Sequence, residues 1–116
     1  MIVSIVLQVL LGIGFMMFGY QKFVSDDMKK GFEYFGYSDG FRLFTGTFEI
    51  ISALVVWAGI WFNPLAIVGG LMIVATMIGA IATHIKMKDE LKQMRMPMML
   101  LIIAAVVVIL NVPGVI

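Results

Sequence analysis

The sequence predicts an all-α integral membrane protein: four transmembrane helices in an antiparallel bundle, with a short interfacial helix in the first cytoplasmic loop. Of 116 residues, 62% are apolar and 13% charged, with a mean hydropathy of +1.08, against roughly 45–50% apolar and ~25% charged in soluble domains. Four stretches, residues 1–22, 43–62, 65–86 and 96–112, approach the ~20 apolar residues that a hydrocarbon core ~30 Å thick requires. All eight Lys and Arg residues lie in or beside two of the connections. The length allows one domain, 1–116.

The first stretch lacks a basic leading region and a small-residue cleavage site ahead of Lys22, so it reads as a retained helix and not as a signal peptide. At 100° per residue, Ser4, Gln8, Gly12, Phe15, Gly19 and Lys22 share one stripe, with Val6, Leu10, Ile13 and Met17 mostly opposite. Small residues let helix backbones approach, and Gln8 reads first as interhelical glue and second as a ligand contact.

Ser25 followed by Asp26 and Asp27 is a helix start, because a hydroxyl caps free N–H groups and acids suit the positive end of the dipole. Met28, Phe32 and Phe35 then follow at i, i+4, i+7, and Gly36 can close the helix. Residues 25–36 are therefore expected as an amphipathic segment in the cytoplasmic interface. Anchoring is its plainer role, and a lid over a small-molecule site the sharper one.

In the second stretch Glu49 is the only charge among residues 43–62. An ionisable group inside a span is costly unless it faces protein or finds a partner, so it marks a functional or assembly site. Arg42, Thr45, Gly46, Glu49, Ser52, Ala53 and Gly59 crowd one side, expected to face the other helices, while Phe44, Ile51, Leu54 and Val55 face away. Asn63-Pro64 reads as a tight external turn, with Pro suited to the first turn of the next helix. On that third helix Gly69, Met72, Thr76, Gly79, Ala80 and Thr83 are expected to face the bundle, with His84 at the edge.

The connection between Lys86 and Arg95 reads as charged and helical, with Asp89 and Glu90 paired to nearby Lys residues. Pro97 opens the fourth stretch, whose first polar residue is Asn111, so packing is its expected role. Because short basic loops stay cytoplasmic, the charge distribution puts both termini outside and both charged loops inside. Acidic residues share those loops, so the basic charge reports topology and no nucleic-acid partner is expected. With no Cys and one His, thiol chemistry, thiolate metal sites and a bis-His haem from one subunit are excluded.

Counting residues tests whether Glu49 and His84 can meet. Glu49 lies ~9 Å deep and His84 near the interface, a Cα depth difference of about 7 Å at 1.5 Å per residue. Each side chain tilts toward its own helix N-terminus, so the two lean together. With Arg42 on the same stripe and Lys22 at the end of the first helix, the candidate inner-leaflet site is Glu49, His84, Arg42 and Lys22, walled by Thr45, Thr83 and Tyr20. A buried ionic lock that fixes helix register is the competing reading.

Phe15, Gly19, Lys22 and Phe23 form F-x-x-x-G-x-x-K-F, Phe35 to Tyr37 form FGY, and Arg42 to Glu49 form R-L-x-x-G-x-x-E. Ala53 and Gly59, then Gly79, Ala80 and His84, follow at A-x-x-x-x-x-G and G-A-x-x-x-H, with Pro97 at the opening of the last helix. In this order the motifs resemble those of the DoxX and DoxX-like membrane proteins over nearly the whole chain. The resemblance implies a four-helix protein of the bacterial or archaeal plasma membrane. It also implies a redox setting, since the founding relative is a subunit of an enzyme that oxidises thiosulfate and reduces quinone. Lys22, Arg42, Glu49 and His84 match the family's polar motif residues by position, without a catalytic assignment.

Three functions stay open at this point. The first is a redox-linked subunit or small quinone- or lipophile-binding protein, in which Glu49 or His84 hydrogen-bonds or protonates a quinone oxygen. The chain carries no cofactor motif, so electrons would come from a partner subunit, and the residues leave open whether it is an enzyme. The second is a proton-coupled carrier assembled as a homo-oligomer around Glu49. The third is a structural scaffold without chemistry of its own.

Overall fold

A computed structural model describes residues 2–88 and 94–113. Five helices follow one another: α1 (Ile2–Val24), α2 (Asp26–Tyr34), α3 (Asp39–Ala58), α4 (Asn63–Lys86) and α5 (Arg95–Asn111). Three of them, α1, α3 and α4, are long and apolar enough to cross a membrane, and α5 is an apolar helix of 17 residues. Around the bundle α1 packs on α3, α3 on α4, α4 on α5, and α5 on α1, while α2 touches α1 and α3 at one end.

The expected stripe of α1 is its buried face: Ser4, Gln8, Gly12, Phe15, Gly19 and Lys22, joined by Leu11. Val6, Leu10, Ile13 and Met17 are exposed on the opposite side, as apolar side chains facing acyl chains would be. Gly19 carries the close crossing with α3. A Cβ there would sit 2.7 Å from the carbonyl oxygen of Gly46 and 2.6 Å from Ile50 Cγ1, so only a hydrogen lets the two backbones approach this far.

The cap predicted for α2 forms, with Ser25 Oγ accepting from Met28 N–H at 3.3 Å. Gly36 then takes φ +84°, the left-handed conformation that glycine adopts without a Cβ penalty, and turns the chain toward α3. That helix begins at Asp39, four residues before the apolar stretch expected at 43–62. The start is set by Ser38, whose Oγ accepts from Phe41 N–H at 3.1 Å. A hydroxyl cap determines where the backbone coils, whereas hydropathy marks only where it becomes apolar.

On α3 the buried face contains Arg42, Gly46, Glu49, Ser52, Ala53 and Val56, with Thr45 at its edge. The face of α4 differs from the one expected. Ala66, Gly69, Gly70, Ile73 and Met77 are buried, Met72 and Thr76 are half-buried, and Gly79 is exposed with nothing within 4 Å of a built Cβ. The reason is that α4 has two helical neighbours, α3 and α5. Its contact face is therefore broad near the Asn63-Pro64 end. Nearer its C-terminus the small-residue stripe of Thr76, Gly79, Ala80 and Thr83 borders a cavity and not a packed helix.

The core runs from Leu11 and Phe15 through Ala53 and Val56 to Ile73, Ala104 and Val107. At the end holding the chain's first residues a polar clamp closes the ring. Asn111 Nδ2 donates to Ser4 Oγ at 2.8 Å, Ser4 Oγ donates to Gln8 Oε1 at 2.9 Å, and Gln8 Nε2 donates to the carbonyl of Val56 at 3.0 Å. Gln8 thus joins helices as its sequence position suggested. Asn111 adds a side-chain link from α5 that the packing role assigned to that helix did not include. The helical pairing expected of Asp89 and Glu90 lies outside the described residues.

Candidate functional site

The half of the bundle opposite that clamp encloses a cavity of about 530 Å³. Phe18 and Lys22 of α1, Met28 and Phe32 of α2, Phe44, Thr45, Phe48 and Glu49 of α3, and Thr76, Ala80, Thr83 and His84 of α4 line it, closed below by Met96, Pro97 and Leu100. Five of the seven residues singled out from the sequence therefore meet around one space: Lys22, Thr45, Glu49, Thr83 and His84.

Lys22 and Glu49 form its electrostatic centre. The Lys22 Nζ to Glu49 Oε1 distance is 2.7 Å, with side-chain exposures of 10% and 2%. Their approach depends on the Gly19–Gly46 crossing, which lies one turn from each residue and draws α1 against α3. The same ammonium lies 5.9 Å from the ring centre of Phe32, a cation–π contact from the roof. Charge is thus held inside the bundle by one opposite charge and one aromatic face.

An aromatic roof joins this pair to His84. The Phe32 ring lies 6.0 Å from Tyr37, Tyr37 lies 6.3 Å from Phe35, and Phe35 meets His84 edge-on at 5.8 Å. Tyr37 also meets the Phe41 ring at 4.8 Å with a 49° tilt, and its hydroxyl is 2.8 Å from Thr83 Oγ1. That contact ties the α2–α3 connection to the end of α4. Met28, Phe32 and Phe35, the spaced apolar edge of the amphipathic segment, all face the cavity.

Two candidates stand apart. Arg42 is buried, but its Nη1 pairs with Asp39 at 3.3 Å, one turn back on the same helix, and it does not line the cavity. Its Nε is buried without a hydrogen-bond partner among the described residues. An i,i+3 acid was nearer than Glu49 at two turns, and α3's early start at Asp39 supplied it. Tyr20 is 61% exposed and also lies outside the lining. It is two residues, or ~200° of helix, from Lys22, which sends the two side chains to opposite faces.

The lining that sequence reasoning missed is aromatic: Phe18, Tyr37, Phe41, Phe44 and Phe48. Phe44 had been placed on the lipid side, and it lies at the border between cavity and exposed surface. A signal existed in the spacing of Phe41, Phe44 and Phe48 at i, i+3, i+7, one face of a helix beside the Glu49 stripe. Among the described residues no group of His, Asp and Glu is placed to hold a metal ion.

The model of the DoxX-like family matches residues 6–107 of the chain. No curated protein and no solved structure matches the chain.

Proposed function

This chain belongs to the DoxX-like family, and from that premise we propose that it is a lipophile-binding protein of the plasma membrane whose ligand class includes quinone-type rings. In this reading α5 is a fourth span, α2 lies at the cytoplasmic surface, and both termini are outside. The observation that carries the proposal is the cavity of about 530 Å³, with aromatic walls and one buried ion pair. Its volume falls within the ~300–1,000 Å³ of small-molecule pockets, which combine mostly apolar walls with a few placed polar groups. A flat ring can stack among Phe32, Phe41 and Phe48 while its polar edge reaches Lys22, Glu49 or His84. Glu49 and His84 are the side chains that would give or take protons beside such a ring. Electrons, where a redox reaction is involved, would come from a partner subunit, and a second copy of the chain could cover the exposed apolar sides.

The scaffold reading has one observation in its favour. The Lys22–Glu49 pair joins α1 to α3 and would fix their register whether or not a ligand binds. Extraction separates the two. Protein purified in a mild detergent is expected to carry a stoichiometric lipophile, identified by mass spectrometry. Ala80→Phe, which fills the cavity, should remove it, and Leu71→Phe on the exposed side of α4 should not. Equal and trace amounts in all three proteins would leave only the scaffold.

A further inference from the structure

The hydroxyl groups around the cavity have already committed their protons. Thr45 Oγ1 donates to the carbonyl of Phe41 at 2.8 Å, Thr76 Oγ1 to that of Met72 at 2.9 Å, and Thr83 Oγ1 to that of Gly79 at 2.9 Å. A hydroxyl has one proton and two acceptor lone pairs. Each of these Thr side chains, bonded back onto its own helix, therefore has only acceptor capacity to offer a ligand. With the Thr83 proton on Gly79, the 2.8 Å contact between Thr83 and Tyr37 is satisfied together with it only if the phenol donates. The Tyr37 proton is then committed as well. Among the described residues these four are the hydroxyl-bearing side chains of the lining.

Among the charged groups the Lys22 ammonium, on α1, is a donor: one of its three N–H groups goes to Glu49 and the others remain for a ligand or the Phe32 ring. A carboxylate accepts and does not donate, and Glu49 already engages the Lys22 ammonium at 2.7 Å, which the Phe32 ring covers from the roof. His84 also lines the cavity and meets the Phe35 ring edge-on at 5.8 Å. Thr45 stands on α3 while Thr76 and Thr83 stand on α4, so acceptors occupy both long walls.

We propose, building on the lipophile-binding reading above, that the ligand presents hydroxyl donors: a lipophilic phenol or hydroquinone in preference to a ring bearing only carbonyl oxygens. A ring with hydroxyl groups at opposite edges gives a proton to each wall and leaves its apolar faces to the phenylalanines. A carbonyl set against these threonines opposes lone pair to lone pair, and such unpaired polar groups are what discriminate between analogues. The acceptor-rich wall thus selects by hydrogen-bond sense, with ring shape common to both.

The full chain in nanodiscs, kept under argon, tests this by calorimetry with three probes: 2-decylhydroquinone, its dimethyl ether and 2-decyl-1,4-benzoquinone. The hydroquinone is expected to bind at least tenfold more tightly than either of the others. Combined Thr45→Val and Thr76→Val substitution keeps the shape and removes two acceptors, and should reduce that preference to less than threefold. Equal or tighter binding of the quinone or the diether overturns the hydroxyl preference and leaves lipophile binding standing. A full preference retained by the folded double variant overturns the assignment to these threonines. Failure of all three probes to bind overturns both readings. Should the double variant not fold, the ranking of the three probes on the unmodified chain decides.

Discussion

Replacing Lys22 by Met leaves the Glu49 carboxylate buried without its cation. At 2.7 Å the attraction between the two charges is roughly 6 kcal/mol for an effective dielectric of about 20. Desolvating two ions to the observed side-chain exposures of 10% and 2% costs several kcal/mol each, so the intact pair contributes little net stability. The single variants behave differently, because each keeps one ion's desolvation and loses the attraction. Lys22→Met and Glu49→Gln should each destabilise the protein by about 2–5 kcal/mol, with the neutral Gln at the lower end. The combined variant should lie within about 1–2 kcal/mol of the unmodified chain, so the cycle yields a coupling energy of at least ~2 kcal/mol. Equilibrium unfolding in mixed micelles measures all four corners. Additive effects, or single substitutions each costing under about 0.5 kcal/mol as exposed positions do, would refute the claim that this pair is shielded inside the bundle.

Gly19→Ala should cost about 1–3 kcal/mol by pushing α1 from α3, whereas Gly14→Ala, with nothing within 4 Å of the new Cβ, should stay near neutral in the same unfolding assay. Asn111→Ala removes donors to Ser4 and Val107 and should cost ~0.5–2 kcal/mol, the range of interhelical hydrogen bonds in membranes. Ser25→Ala deletes the α2 cap and should lower that helix's stability by about 1 kcal/mol, read as faster amide exchange over residues 26–34 with the other helices unchanged. The absence of native Cys makes topology directly testable. Asn63→Cys should react with an impermeant maleimide in intact cells and Lys29→Cys only after permeabilisation, and the reverse pattern would invert the orientation.

How much of this was legible in the sequence depends on what each residue's neighbours are. The α1 stripe could be read because polar and small residues at Ser4, Gln8, Gly12 and Gly19 contrast with the large apolar ones opposite. Helix α4 has no such contrast. Ile73 and Met77 are as apolar as the exposed Leu71 and Ile78, so a wheel cannot tell which of them meets protein and which meets lipid. Lys22 was legible as a cation at the end of the first helix, but its direct contact with Glu49 depends on a glycine crossing that spacing alone does not measure. Arg42 was misdirected because a two-turn partner on its stripe was weighed without the one-turn acid at Asp39. The cavity itself is lined by residues of all five helices, and no single position records it. Its aromatic roof was foreshadowed by Met28, Phe32 and Phe35, whose edge could turn either to the bilayer or to the bundle mouth.

The Ser4–Gln8–Asn111 clamp and the tight seating of Gly69 against Val56 lie at the end of the bundle away from the cavity. The molecule is therefore built like a clothes peg, with its spring at one end of the bundle and its jaws at the other. Widening the jaws to admit a guest need not disturb the spring, so the cavity end can change its spacing while the clamped end stays sealed.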